Sequence, residues 1–142
     1  MKTEISVEEQ NKLTVERFYE EVFNQGHEEV LDEIISPDYI DYGHNPPGRG
    51  VQGAKQDYRG ATAIFSNTHY TIDELIATDD RVIARWTGTY THSGDFAGIR
   101  ATGQKVSMTG ISIYKIANGK LVETRNAVNW MGLLQQLGAI QG

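Results

Sequence analysis

From Arg81 to His92 the chain reads RVIARWTGTYTH, from Lys105 to Ile116 KVSMTGISIYKI, and from Lys120 to Val128 KLVETRNAV, with Asn118-Gly119 between the last two. Asn-Gly accepts the positive φ angles of a two-residue hairpin turn, so the second and third segments are expected to fold back on each other as antiparallel strands. Asp79-Asp80 makes a similar joint upstream, between Arg81–His92 and a fourth strand candidate, Tyr70–Ala77. The remaining joint, Ser93–Gly103, is longer and carries three glycines. From His69 onward the apolar period is therefore two, and the expectation is an antiparallel meander.

Before His69 the period is helical. Ser6-Val7-Glu8-Glu9 has the capping-box form, and Val15, Phe18, Tyr19, Val22 and Phe23 make one apolar stripe ended by Gly26. Val30, Leu31, Ile34 and Ile35 suggest a short second helix stopped by Pro37. Asp38–Tyr42 reads as a brief extended segment, Gly43–Gly48 as loop, and Gly53–Phe65 as a third helix with Ala54, Tyr58, Ala61, Ile64 and Phe65 on its apolar face. Asn129–Leu137 closes the chain as a helix ended by Gly138. Helices first and hairpins afterwards make an α+β plan, read as one domain over residues 1–142. Long strands coil, so helices laid on the concave side are expected to leave a cone with a pocket for one small molecule.

Composition narrows the function. The net charge is -6 and the 13 basic residues are scattered, which argues against nucleic acid. No apolar run is long enough to cross a bilayer, and the acidic N-terminus lacks the apolar stretch of a secretory signal. The absence of cysteine excludes disulfides and thiolate chemistry and fits a cytoplasmic setting. None of the four histidines stands at the short spacings of zinc motifs, so no metal is expected. Gly48-Arg49-Gly50-Val51-Gln52-Gly53 spells the dinucleotide-binding glycine pattern, but Pro46-Pro47 precede it where a buried parallel strand is required. That match is dismissed.

Asp80–Gly94, Ala101–Val106, Ile113-Tyr114-Lys115, Asn118–Glu123 and Leu133–Gly138, with Arg17-Phe18-Tyr19 and Ser36–Tyr39, resemble the SnoaL-like polyketide cyclases of the nuclear transport factor 2-like superfamily. The resemblance spans nearly the whole chain. It implies a cone-shaped curved antiparallel sheet with N-terminal helices on its concave face, and homodimers paired through the sheet. It also implies ring closure by intramolecular aldol condensation without a cofactor. The family's usual acid/base, an aspartate just before the final helix and four residues after a tryptophan, matches Asn129 here, and the tryptophan matches Arg125. An amide cannot accept a proton at neutral pH.

Arg125, Ala127 and Asn129 share one face of the last strand by its two-residue period. In the family register that face looks into the pocket, with Arg125 holding an oxyanion and Asn129 orienting a carbonyl. Equally, Asn129 suits the N-cap of the last helix and Arg125 an ion pair with Glu123. His44, in the loop at the pocket mouth, and His92, on the face of Trp86 and Tyr90, are the acid/base candidates, because imidazole titrates near neutrality. His27 and His69 sit at element boundaries and are read as solvent-facing. Tyr39, Tyr42, Tyr58, Trp86, Met108 and Tyr114 are candidate ligand contacts as well as ordinary core, while Asp38 and Asp41 are read as solvated carboxylates.

The leading reading is a cofactor-independent cyclase or isomerase for a small hydrophobic or aromatic ligand. Its rivals are a binding protein that kept the pocket and lost the acid, and a limonene-type epoxide hydrolase, which needs paired aspartates bridged by arginine. Thr87, Thr89, Thr91, Ser107 and Thr109 make the outer strand faces half polar, which water or a second subunit would cover.

Overall fold

A computed structural model of the chain describes residues 5–140; residues 1–4 and 141–142, included in the one-domain reading, lie outside the described residues. Helix α1 spans Val7–Arg17, capped by the Ser6 hydroxyl, which accepts the Glu9 amide at 3.1 Å. It runs on without a break into wider π-helical turns over Phe18–Asn24. Gly26, at φ 76°, then turns the chain into a 3₁₀ turn (Glu28–Val30) and the single-turn α2 (Leu31–Ile34). Next come β1 (Ile35–Asp41), the two-residue β2 (Gly48–Arg49), α3 (Gly50–Ile64), β3 (Phe65–Thr78), β4 (Arg81–His92), β5 (Lys105–Ala117), β6 (Lys120–Val128) and α4 (Trp130–Gln136).

The strands form one six-stranded sheet in the order β2-β1-β6-β5-β4-β3. The meander β3–β6 is antiparallel throughout, and Asn118 and Gly119 turn between β5 and β6 at φ 52° and 75°. The expectation of a wholly antiparallel sheet needs correction at one edge, because β1 lies parallel to β6, with Ile35 opposite Leu121 and Asp41 opposite Thr124. Ile35 thus belongs to a strand rather than to the second helix. Pro37 sits inside that strand without ending a helix, on an irregular stretch where the register shifts between Ile35 and Ile40. Phe65 likewise opens β3 instead of closing α3.

The inner face of the sheet is apolar. Val82, Ala84, Trp86 and Tyr90 from β4 and Val106, Met108, Tyr114 and Ile116 from β5 are all buried. Val15, Tyr19, Val22, Leu31 and Ile34 close over them from the helices. Burial alternates strictly along β4, as a sheet covered on one side requires. Gly110 lies opposite Trp86, and a side chain there would run into the indole ring. Along β6 the alternation breaks. Lys115 pairs with Glu123 and Ile116 with Leu121, so Val122 is an extra, bulged residue.

The Asn129 side chain accepts the Gly132 amide at 3.0 Å, the N-cap of α4. Asn129→Ala is therefore expected to cost about 1 kcal/mol in chemical denaturation, while Asn129→Asp keeps the cap and the stability.

Candidate functional site

Between the inner sheet face and the helices lies a cavity of about 580 Å³. Its far wall is aromatic: Phe18, Tyr19, Phe23, Tyr70, Trp86, Tyr90 and Tyr114 all line it. Edge-to-face contacts hold these rings, including Tyr19–Tyr70 with centroids 5.5 Å apart and Tyr70–Trp86 at 5.3 Å. The phenols bond among themselves and to nearby hydroxyls: Tyr19 to Tyr114 at 2.6 Å, and Tyr39 to Thr124 at 2.7 Å. Burial pushes the Tyr19 hydroxyl up to about 12 and those of Tyr39, Tyr90 and Tyr114 higher still. These groups stay neutral at physiological pH and act as hydrogen-bonding groups, not as bases.

The mouth is polar. Asp41 ends β1, His44 follows in the β1–β2 loop, and Asp57 projects from the second turn of α3. The imidazole Nε2 of His44 stands 3.5 Å from Oδ2 of Asp41 and 3.5 Å from Oδ2 of Asp57. Asp41 is anchored, since its Oδ1 accepts the Gly43 amide at 2.8 Å. Oδ2 of Asp57 is buried and has no hydrogen-bond partner among the described residues. Burial, together with the carboxylate of Asp41, pushes Asp57 up to about 6 against the pull of His44. Glycines make the room for this group. A Cβ on Gly48 would meet Asp57 Oδ2 at 2.6 Å, and one on Gly43 would meet Asn126 Nδ2 at 2.7 Å. The residues lining the cavity include no lysine and no arginine.

The structure sorts the expected site residues. His44, Tyr39, Tyr58, Trp86, Met108 and Tyr114 line the cavity. Arg125 and Asn129 do not, and the register expectation for them is overturned. The bulge at Val122 exchanges the faces of β6, so Thr124, Asn126 and Val128 look inward instead. Arg125 lies over the exposed ring of Tyr42, 4.0 Å from its centroid, which removes both from the cavity wall. His92 is fully buried beyond the wall. Its Nδ1 meets the Thr102 hydroxyl at 3.0 Å and amide at 3.3 Å, tying down the β4–β5 loop. Asp41 is buried, not solvated, because β1 turns it inward beside β6.

Asp57 and Asn126 were not among the expected residues. Asp57 sits on the helix Gly50–Ile64, off the apolar face that the periodicity marks. Asn126 is invisible until the bulge is known. Asp41, His44 and Asp57 each offer one ligand atom, all within 4.8 Å of one another, a mixed set of two carboxylate oxygens and one imidazole nitrogen. Sequence spacing hides this group, because a helix and a loop bring its members together.

A family model for the SnoaL-like polyketide cyclases matches residues 13–137. The chain belongs to this family. It is 28% identical over 122 residues to the aklanonic acid methyl ester cyclase DnrD of Streptomyces peucetius, covering 83% of this chain and 84% of that protein. The corresponding enzyme DauD of Streptomyces sp. strain C5 is 27% identical over 123 residues, covering 83% and 76%. Among solved structures, TsrD from Streptomyces laurentii superposes with a TM-score of 0.85 at 26% identity, over 96% of this chain and all (100%) of that one. The α+β fold of this SnoaL-like chain, with its curved mixed sheet, is thus that of its relatives. No helix among the described residues is long and apolar enough to cross a membrane.

The folded chain keeps a proton on Asp57 up to about pH 6, whereas an ordinary aspartate loses it near 3.8. The unfolded state therefore binds fewer protons in this window, and stability from this group falls as pH rises through it. Asp57→Asn is expected to raise the melting temperature relative to wild type above pH 6, the gain shrinking as pH falls toward 3.8. Paired thermal melts at the two ends check it; a gain that grows on acidification would contradict the assignment.

Proposed function

We propose that the chain is a cofactor-independent cyclase that closes a ring on a neutral, partly aromatic polyketide-type ester, with Asp57 and His44 as its proton-transfer pair. The observation that carries this reading is the buried, unpartnered Oδ2 of Asp57, 3.5 Å from His44 at the mouth of an aromatic cavity. A carboxylate raised to about 6 is a stronger base than an ordinary one and is still ionised at neutral pH. It takes a proton from a carbon flanked by two carbonyls. The enolate carbon then bonds to a ketone carbon of the same molecule, the carbonyl π pair moves to oxygen, and protonated His44 supplies the proton that oxygen needs. The proton on Asp57 returns to His44 across their contact, and Asp41 holds the imidazole from its other side. The product is an isomer of the substrate, so no oxidant, reductant or metal is required. DnrD and DauD are named for a methyl ester substrate, and a cavity lined by no lysine or arginine suits an ester better than a free acid. The epoxide hydrolase reading loses support, since a histidine, not Arg125, stands between the two carboxylates.

We place this activity in the cytoplasm, in a homodimer joined through the outer sheet face, where Ile76, Ile111 and Ile113 are exposed. Sedimentation at micromolar concentration is expected to give twice the 15.8 kDa chain mass, and a monomer mass would remove the dimer.

Aklanonic acid methyl ester incubated with the protein is expected to yield a ring-closed product of unchanged mass. The ratio kcat/KM should rise with pH through about 6, as Asp57 ionises, and fall again at higher pH, where His44 lacks the proton it must supply. Asp57→Asn and His44→Ala should each lower it by about 10²-fold or more, the usual contribution of a positioned acid or base. A chelator should leave turnover unchanged. An Asp57→Asn protein turning over at the wild-type rate would end this mechanism.

A further inference from the structure

A directed chain of hydrogen bonds runs along the inner sheet face toward the mouth. The indole N–H of Trp86 can only donate, and it donates to the Ser112 hydroxyl at 3.0 Å. Ser112 is 2% exposed, and its hydroxyl donates in turn to Oδ1 of Asn126 at 2.6 Å. The indole N–H fills one lone pair of Ser112, and the serine hydrogen goes to Oδ1, which sets the orientation of the Asn126 amide. Oδ1 is occupied. Nδ2 points away from Ser112, and no acceptor among the described residues takes its hydrogens. It stands beside Gly43, at 2.7 Å from where a Cβ there would be, while Asp41 Oδ1 lies 3.0 Å from that same point. A free amide donor is thus held in the cavity wall next to the Asp41–His44–Asp57 trio.

We infer that Asn126 is a catalytic residue whose Nδ2 donates to the oxygen that becomes negative as a ligand loses its proton, and that Trp86 and Ser112 are positioning residues for it. This inference rests on the acid–base reading above and assigns it the missing electrophilic group. An enolate forming over two carboxylates needs a donor on its oxygen; the lining holds no lysine or arginine, and the His44 proton goes to the ketone oxygen. A neutral amide pre-oriented by buried partners supplies it without competing for the proton. The ligand class follows: a carbonyl or phenol whose oxygen gains charge while its rings lie on the aromatic wall.

The test uses 2-hydroxyanthraquinone, a planar phenol whose ionised form absorbs at longer wavelength, alongside aklanonic acid methyl ester. In Asn126→Leu the bound phenol's pKa is expected to rise by about one unit over wild type, as loss of one hydrogen bond to a charged oxygen predicts. Asn126→Asp should raise it further. Ser112→Ala and Trp86→Phe should raise it in part, and Ser112→Thr, which keeps the hydroxyl, should restore it. A merely structural role would lower melting temperatures and leave the pKa of the bound phenol alone. On the ester, Asn126→Leu should lower kcat by about 10²-fold with little change in KM. An Asn126→Leu protein that binds the phenol with the wild-type pKa overturns the inference, whatever happens to the ester. So does a wild type that does not bind the phenol at all. A wild type inert on the ester that still shows the Asn126-dependent shift would remove the acid–base reading and leave the donor assignment standing.

Discussion

β6 carries one residue more than β5 across their shared pairing, and that residue, Val122, decides which side chains the cavity receives. Up to Leu121 the strand buries its residues in step with Ile116 opposite. After the bulge the parity is reversed, so Thr124 and Asn126 face inward while Arg125 turns out onto Tyr42. The polar contacts of the inner wall follow from this. Thr124 receives Tyr39 from the neighbouring strand, and Asn126 receives Ser112, which receives Trp86. With the strand in regular register, Glu123 and Arg125 would stand there instead. The cavity would then hold a cation and no oriented amide.

The mouth depends on a second constraint, the close approach of α3 to β1 and β2. Gly53 lets the first turns of the helix pack on Gly48, where a Cβ would come within 3.0 Å of backbone. Gly48 in turn leaves space for the Asp57 carboxylate. The glycines of the dismissed nucleotide motif therefore have a structural use that is unconnected with phosphate. They bring a helix carboxylate against a strand carboxylate and a loop imidazole. The same burial that makes Asp57 a better base makes its ionised form unfavourable to the fold. Activity and stability draw on opposite protonation states of one group, a conflict common at working sites.

Much of the architecture was legible from local chemistry. The capping box at Ser6, the Asn118-Gly119 turn and the change of period near His69 each act within a few residues, so the sequence alone placed α1, the β5–β6 hairpin and the meander. The resemblance carried by Asp80–Gly94 and the segments after it pointed to the family that residues 13–137 match. The N-cap reading of Asn129 was available for the same reason, since a cap needs only the next three residues.

Long-range registers were not legible. The parallel pairing of β1 with β6 joins segments some eighty residues apart, so Ile35 and Pro37 read locally as a helix end. A bulge leaves no mark in a period-two pattern of mixed polarity, and counting in twos from Leu121 puts Arg125 and Asn129 on the wrong face. Asp41 reads as a surface carboxylate until β6 covers it, and Asp57 as a helix surface residue until Gly48 receives it. Turns, caps and alternation are set by neighbours along the chain, so the residues that make them can be named from the amino-acid order. The polar groups that face one another across the cavity are set by strand register and helix approach, which depend on packing between distant segments and emerge with the fold.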